Sequence, residues 1–347
     1  MKAPGRRLKI LTWHTHGNYL YYLSQLPHDL YVLSKPDRAP GYGGRCGDLP
    51  WGDNVIDLPV AKAAQCELDC ILFQDDVQYL EDQYAWLSPA QRQLPRIYLE
   101  HDPPPSHPTD MVHPVDDPAL LLVHVTHFNA LMWQSGRTPT AVIEHGVLVP
   151  ADVRYDGDLA RGLVIVNHLA RRGRRLGSDV FERVRVQVPL DLIGMGAEEA
   201  GGMGEVRHAQ LAAFSSRYRF LFNPIRYTSL GLAVIEAMAI GMPVVGLATT
   251  EMATVIDNGV NGYVDTNIER LIAHMQCLLH DAPLARRLGE GARATARQRF
   301  GIERFCADWN AVLERVCNRA LEYKPRNQHN QLDQLDQHNH RKGNPCT

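Results

Sequence analysis

Glu236 is the single charged residue in a long apolar segment of this chain. Between Tyr227 and Thr250 the sequence contains no other Asp, Glu, Lys, Arg or His. A carboxylate is seldom buried without a partner, and this segment offers none. We therefore expect Glu236 either to be neutralised by a distant residue or to contact a bound ligand.

The residues before Glu236 favour a ligand that carries a phosphate. Ser229 and Gly231 are typical of a loop that becomes a helix start, and Leu232–Ile240 is apolar and compatible with a helix. Free N–H groups at a helix start bind phosphate. Glu236 would lie roughly 7–8 Å further along the axis, where its carboxylate could accept hydrogen bonds from two neighbouring sugar hydroxyls. Phosphate followed by ribose is the layout of a nucleotide-sugar.

An arginine-rich run follows the predicted strand Leu163–Val166. Its members are Arg171, Arg172, Arg174 and Arg175. Arginine makes bidentate contacts with phosphate and keeps its proton. Because ligands bind at the carboxyl ends of parallel strands, the run predicts that one or two of these side chains contact a diphosphate. A solvated face or a nucleic-acid patch is the alternative interpretation.

Short apolar strands alternate with helical stretches along the chain. The predicted strands are Leu8–Trp13, Asp29–Val32, Cys70–Phe73, Arg96–Glu100, Leu121–Val125, Thr140–Ile143, Leu163–Val166, Leu190–Ile193, Tyr218–Phe222 and Pro243–Gly246. The predicted helices include Asn18–Leu26, Tyr79–Trp86, Asn129–Gly136, Asp179–Arg185, Leu232–Ile240, Asn267–His280 and Pro283–Phe300. This alternation is typical of α/β folds with parallel sheets. Two such blocks predict two Rossmann-like domains that face each other across a cleft.

Changes in composition indicate where the blocks end. Residues 149–161 are polar and contain Pro and Gly, so we predict an N-terminal domain over residues 1–150 and a C-terminal domain over 151–301. Residues 102–118 are rich in proline, which predicts a loop. The polar composition of residues 323–347 cannot offset chain entropy and predicts a disordered tail.

Bulk composition excludes several classes of protein. The 347 residues are 45% hydrophobic and 22% charged, with a net charge of −3, which gives no reason to expect nucleic-acid binding. No apolar run approaches the roughly 18 residues of a transmembrane helix, although peripheral membrane contact stays compatible with the sequence. Seven cysteines without framework spacing favour a cytoplasmic protein. His14 and His16 have no carboxylate beside them, so we expect no metal site there.

The segment Pro224–Val245 resembles the signature of the retaining, GT-B-fold glycosyltransferases of the large family four (group 1). That family has a glutamate, seven residues, a second glutamate, then Ala-Met-Ala and Gly-x-Pro-Val-Val. Residues Glu236–Ala239 and Gly241–Val245 match this pattern. Thr228 stands where the family has its first glutamate, which usually contacts the transferred sugar. Weaker similarity extends over residues 8–320.

The resemblance implies a metal-independent enzyme without a further cofactor. It would move a hexose-type sugar from a nucleoside-diphosphate-sugar to an acceptor hydroxyl, with retention of configuration. The donor-binding residues that it implies are Gly17, Arg171, Arg172, Thr228, Ser229, Leu230, Gly231 and Glu236. Glu236 would hold the ribose, and the Ser229–Gly231 loop would hold the diphosphate. The resemblance also implies that a helix over residues 302–322 crosses back to the first domain.

Two residues are implied to act in the reaction itself. Arg172 with Gly173 falls on the family's Lys-Gly, which neutralises the diphosphate. His101 follows a predicted strand and is followed by Asp102, in the place of a family His-Asp pair that lines the cleft near the sugar. A histidine that only anchors the adjoining loop is the alternative for His101.

Other functions stay open on the same scaffold. The threonine at position 228 is compatible with a non-catalytic nucleotide-sugar-binding protein. A sugar-nucleotide epimerase is a further alternative. Turnover of a donor, as opposed to binding alone, would separate an enzyme from a binder. The sequence does not identify the acceptor, which could be a glycan, a lipid or a small molecule.

Overall fold

A computed structural model of the chain describes residues 6–149 and 152–322. The predicted domain boundary between residues 150 and 151 lies outside these ranges. The same holds for residues 323–347, which the sequence predicts to be a disordered tail.

Seven parallel strands form the first sheet. They are β1 (Lys9–Thr12), β2 (Asp29–Ser34), β3 (Val55–Pro59), β4 (Cys70–Phe73), β5 (Arg96–Glu100), β6 (Leu120–His124) and β7 (Thr140–Val142). Their order in space is β3-β2-β1-β4-β5-β6-β7. All residues of β4 and β6 are buried, as expected for a parallel sheet covered on both faces.

Short helices accompany this sheet. They are α1 (Gly17–Leu23), α2 (Val60–Ala63), α3 (Gln83–Trp86) and α4 (His127–Met132), with a π-helical turn at Gln78–Asp82 and a 3₁₀ turn at Gln91–Gln93. Thr126 caps α4, because its side chain accepts a hydrogen bond from the backbone N–H of Asn129. Such a cap fixes the first turn of a helix. The proline-rich segment 102–118 contains no helix or strand, as its composition predicts.

Five parallel strands form the second sheet. They are β8 (Leu159–Ile165), β9 (Leu190–Ile193), β10 (Tyr218–Asn223), β11 (Val244–Leu247) and β12 (Gly262–Asp265). Their order is β12-β11-β10-β8-β9. The helices of this half are α5 (Leu169–Leu176), α6 (Ser178–Arg185), α7 (His208–Ser215), α8 (Leu232–Ile240), α9 (Met252–Val255), α10 (Ile268–His280) and α11 (Ala282–Phe300), with a 3₁₀ turn at Ala197–Ala200. The chain thus has two Rossmann-like α/β halves, as the alternating pattern predicts.

The helix α12 (Ile302–Glu322) leaves the second half and packs against the first. The indole of Trp309 donates to the hydroxyl of Tyr19 at 3.2 Å. Phe305 lies so close to Gly146 that a Cβ added there would be 2.3 Å from the Phe305 Cβ. Both Trp309 and Phe305 are fully buried, so α12 closes a core shared by the two halves.

The chain passes between the halves in two segments that lie side by side. Val147 donates its backbone N–H to the carbonyl of Phe300 at 3.0 Å. Next to this bond, Arg299 donates to the carboxylate of Glu144 at 2.8 Å and to that of Glu251 at 3.0 Å. The two crossing segments are therefore fastened to each other.

Several elements differ from the sequence prediction, among them β12, α2 and α9, which are not among the predicted strands and helices. The pattern does not predict β3, because Asp57 and Pro59 interrupt it, yet an edge strand tolerates both residues. It also does not predict α7, whose start has no side-chain cap. The arginine run, predicted as a segment before a helix, is itself helical in α5, where Gly173 interrupts the helix with φ 54° and ψ −140°. Within the described ranges, no helix is both long and apolar enough to cross a membrane.

Candidate active site

Helix α8 presents its first turn beside the loop that contains Thr228 and Ser229. Gly231 precedes the helix in an extended conformation, and no side chain caps the helix start. The helix ends at Gly241, which adopts the left-handed conformation with φ 97°, where glycine is favoured. The start of α8 therefore offers backbone N–H groups and the positive end of a helix dipole, which together favour a phosphate.

Glu236, in the second turn of α8, contacts the other half of the chain. The hydroxyl of Tyr22, on α1, donates to Oε1 of Glu236 at 2.7 Å. Burial raises the pKa of Glu236, whereas the bond from Tyr22 lowers it. Burial, followed by the charge of Glu236, raises the pKa of Tyr22 well above its ordinary value. The distant partner expected from the sequence is thus Tyr22, and Oε2 makes no hydrogen bond within the described part of the chain.

A cavity of about 570 Å³ adjoins Glu236 between α1, α7 and α8. Its wall is mostly apolar and includes Tyr21, Leu211 and Ile240. His208 packs edge-on against Tyr21, with ring centroids 5.5 Å apart, and its buried Nδ1 makes no hydrogen bond to any residue that the structure describes. Pockets of this size and character bind small organic ligands. A flat ring could therefore lie against these aromatic side chains while a linked group reaches Glu236.

Two of the four arginines in the run are engaged within the protein. Arg174 forms an ion pair with Asp179 at 2.6 Å. Arg175 donates to the carbonyl of Tyr227 at 3.1 Å and to that of Pro105 at 3.3 Å. Arg175 thus joins α5 to the loops that contain Tyr227 and Pro105, whereas Arg174 is paired with α6.

The other two arginines, Arg171 and Arg172, are exposed. Neither side chain makes a hydrogen bond within residues 6–149 and 152–322. Partial burial lowers the pKa of Arg172, and the charge of Asp102 opposes this effect. Arg172 therefore lies within electrostatic reach of the facing half of the chain. Within the described ranges, Arg171 has no side-chain contact that connects it to the cleft.

Side chains from the first half reach directly into the loop before α8. The hydroxyl of Thr228 donates to Oδ1 of Asp102 at 3.3 Å. The amide of Asn129 donates to the hydroxyl of Ser229 at 3.3 Å and to the carbonyl of His101 at 3.1 Å. The loop that would hold phosphate is thus positioned by both halves.

His101 lies at the carboxyl end of β5, among other aromatic side chains. Its Nε2 is 3.0 Å from Oε1 of Gln74, and the Gln74 amide group donates to the carbonyl of Trp13 at 2.9 Å. This orientation makes Nε2 of His101 the donor and leaves Nδ1 as an acceptor. Burial, followed by the neighbouring His16 and His145, lowers the pKa of His101 far below its ordinary value. His101 is therefore neutral near pH 7.

Gly17 begins α1 immediately after His16, whose ring centroid lies 4.2 Å from that of His101. A Cβ at Gly17 would be 3.1 Å from Nε2 of His14, so glycine allows the chain to pass close to this ring. Leu230 is 3% exposed and anchors the loop before α8. These contacts place the predicted site residues along one cleft, with the exception of Arg171.

The sequence prediction misses Tyr22 and Asn129 as residues of this cleft, whereas the resemblance already implies the pair of His101 and Asp102. Tyr22 has no local signal, because its role depends on how the two halves dock. Asn129 stands three residues after Thr126, a helix cap that the sequence could have indicated. Asp102 directly follows His101 and precedes a proline, so the start of the loop marks it.

Comparison with known proteins shows which families and structures the chain is similar to. Residues 202–295 match the family model described as glycosyl transferases group 1. The structure is similar to sucrose-phosphate synthase from Thermosynechococcus elongatus, with a TM-score of 0.63 and 16% identity over 90% of this chain and 99% of that one. It is equally similar to HepE from Anabaena in complex with UDP, with a TM-score of 0.63 and 15% identity over 89% of this chain and 100% of that one.

A curated relative supports the same class over a shorter segment. An uncharacterised glycosyltransferase from Haemophilus influenzae is 27% identical over 93 residues, which is 26% of each chain. The match therefore spans about a quarter of that relative. The chain has the GT-B fold of two facing Rossmann-like domains. Within the second of these domains, the family match covers residues 202–295.

Proposed function

We propose that the protein transfers a hexose-type sugar from a nucleoside-diphosphate-sugar to an acceptor hydroxyl, with retention of anomeric configuration. One observation carries the proposal. The uncapped start of α8 and the carboxylate of Glu236 lie in succession, and a cavity of about 570 Å³ adjoins Glu236. A diphosphate, a ribose and a base would fit these three features in that order.

The nucleoside part of the donor is supported by the cavity and by a structural relative. Tyr21 and His208 offer ring surfaces, and Oε2 of Glu236 is available to a ribose hydroxyl. HepE from Anabaena is described in complexes with UDP, with UDP and glucose, and with UDP-glucose. A uridine nucleotide is therefore the first ligand to test here.

The proposed reaction breaks the bond between C1 of the sugar and the diphosphate and forms a bond from C1 to the acceptor oxygen. The acceptor proton passes to the departing diphosphate. Arg172 and the backbone N–H groups at the start of α8 would stabilise the negative charge that develops on the leaving group. Neutral His101 would contact a sugar hydroxyl. No metal or cofactor takes part in this proposal.

The test is release of UDP from a panel of UDP-sugars, with and without EDTA, together with NMR of the anomeric carbon in the product. We expect release from at least one donor, unchanged by EDTA, and a product with the configuration of the donor. Release that EDTA abolishes would contradict the metal-independent reaction. An inverted product would contradict retention.

A non-catalytic nucleotide-sugar-binding protein is the second candidate. The threonine hydroxyl at position 228 favours it, because this hydroxyl is neutral and already donates to Asp102. Tight UDP binding without UDP release from any donor, in the presence of a mixed panel of acceptors, would select this candidate over the transferase.

A further inference from the structure

The loop before α8 is hydrogen-bonded to the first half of the chain at three successive residues. These side-chain bonds are Tyr227 to the carbonyl of Pro104 at 3.1 Å, Thr228 to Oδ1 of Asp102 at 3.3 Å, and Asn129 to the hydroxyl of Ser229 at 3.3 Å. The loop belongs to the second half, so its conformation depends on contacts that the first half supplies.

The bond between Asn129 and Ser229 is the most buried of the three. Asn129 is fully buried, and Ser229 is 9% exposed. The amide of Asn129 also donates to the carbonyl of His101 at 3.1 Å. Because both bonds use the NH₂ group, only one orientation of the amide satisfies them together. Asn129 therefore ties the hydroxyl of Ser229 to the end of β5.

Helix α4, which contains Asn129, is itself held by the second half. Oε2 of Glu251 accepts from the backbone N–H of Phe128 at 2.8 Å. Glu251 is 2% exposed, and its Oε1 accepts from Thr254 at 2.7 Å and from Arg299 at 3.0 Å. The first turn of α4 is thus fixed between the loop before α8 and the start of α9.

The same loop has backbone donors without a partner. The N–H groups of Ser229, Leu230 and Gly231 make no hydrogen bond to any residue that the structure describes. They directly precede α8, whose start has no side-chain cap. Successive N–H groups of this kind bind phosphate. They bind it tightly only when the backbone is already held in the bound conformation, because ordering a loop costs affinity.

We infer that Asn129 is a positioning residue for the diphosphate. From the first half it fixes the hydroxyl of Ser229, and through it the backbone N–H groups of the loop. This inference rests on the proposed function and deepens it, because it makes affinity for the diphosphate depend on the half of the chain that does not contain the loop. Asn129 acts through Ser229 and not by touching the nucleotide.

The experiment measures the affinities of UDP and of uridine by calorimetry. The variants are Asn129→Ala, Ser229→Ala and the double variant, all of which lack the bond between these two side chains. Asn261→Ala is the matched control, because Asn261 is a buried asparagine whose amide donates to the carbonyl of Val255 at 3.0 Å, in the turn before β12. Circular dichroism and melting temperature check that each variant is folded.

The expected loss is selective for phosphate. Asn129→Ala should weaken binding of UDP about fivefold, the order of one neutral hydrogen bond, and leave binding of uridine unchanged. Ser229→Ala should give the same loss, and the double variant no more than either single variant, since all three lack one shared bond. Asn261→Ala should change neither affinity. If Asn129→Ala does not fold, Ser229→Ala tests the same bond from the side of the loop.

Three results would overturn the inference in a protein that binds UDP more tightly than uridine. The first is an equal loss for UDP and uridine, which would show that Asn129 acts on the cleft as a whole. The second is an unchanged affinity for UDP in either single variant. The third is a pair of losses that multiply in the double variant, because the two residues would then act separately. A wild-type protein that does not bind UDP would contradict the proposed function itself.

Discussion

Tyr22 and Glu236 meet across the cleft although 214 residues separate them in the sequence. The hydroxyl donates to Oε1 at 2.7 Å, and within the described residues no other side chain donates to this carboxylate. The carboxylate that we propose to hold the ribose therefore also joins α1 to α8. Binding of the donor and contact between the halves share one chemical group.

Replacement of Tyr22 by Phe should weaken the contact between the halves. A hydrogen bond to a charged group contributes about 1.5–3 kcal/mol, and the variant leaves Oε1 of Glu236 partly buried without a donor. We expect the free energy of unfolding to fall by this amount in urea denaturation. Tyr21→Phe is the matched control, because the Tyr21 hydroxyl makes no hydrogen bond within the described residues. Equal losses in the two variants would show that the bond does not stabilise the fold.

Replacement of Glu236 by Gln should weaken UDP binding by about 1.5–3 kcal/mol, since one charge-assisted hydrogen bond is lost and the volume is kept. Calorimetric titration with UDP measures this change. Glu290→Gln is the control, because Glu290 is exposed on α11. Unchanged UDP affinity, or gross unfolding of the variant, would assign Glu236 a structural role only.

Replacement of Arg172 by Ala should reduce affinity for UDP far more than affinity for uridine, because the lost contact is to phosphate. The two dissociation constants, measured side by side, give the result. Arg171→Ala should have little effect, since no contact connects Arg171 to the cleft. A selective loss in Arg171→Ala alone would place the phosphate contact one residue earlier.

The lowered pKa values of two buried histidines predict how the free energy of unfolding depends on pH. Burial lowers the pKa of His124 and of His145 from 6.5 to about 4. Between these values the unfolded chain binds more protons than the folded one, so stability rises with pH and is lost as pH falls. Each histidine contributes about 1.4 kcal/mol per pH unit in this window.

Urea denaturation across this pH window tests the prediction. His124→Leu should flatten the pH dependence by the share of one histidine, because the ring nitrogens of His124 make no hydrogen bond to the described part of the chain. His107→Gln is the control, since His107 is exposed. A slope that His124→Leu does not change would mean that His124 titrates normally in the folded protein.

Local features of the site could be predicted from the sequence, because they depend on neighbouring residues. The apolar helix α8, its glycine boundaries and the isolation of Glu236 all lie within one short segment. Contacts such as Thr228 with Asp102 could not be predicted, since they arise only when the two halves dock. The contact of Tyr22 with Glu236 could not be predicted for the same reason, because the neighbours of Tyr22 in the sequence have the pattern of an ordinary buried helix.

The elements that the sequence does not predict correctly have different physical causes. The sequence pattern does not predict β3, because Asp57 and Pro59 interrupt it. An edge strand tolerates both residues, since one of its sides lacks a hydrogen-bonded neighbour. The sequence pattern places the arginines of α5 before a helix, whereas they lie in one. Because Gly173 interrupts this helix, the side chains of Arg172 and Arg175 have different surroundings. Charge patterns indicate exposure well, yet they do not distinguish a paired arginine from a free one.

Val147 and Phe300 join the two crossing segments at one place, which is where the halves would pivot if the cleft opened. Bodies joined by two adjacent segments rotate about the line through them more easily than they twist or slide apart. We therefore expect the two halves to rotate apart about this line. The Tyr22–Glu236 and Asp102–Thr228 hydrogen bonds would break, while the Val147–Phe300 hydrogen bond would persist. A nucleotide could then enter and leave without any element of either half unfolding.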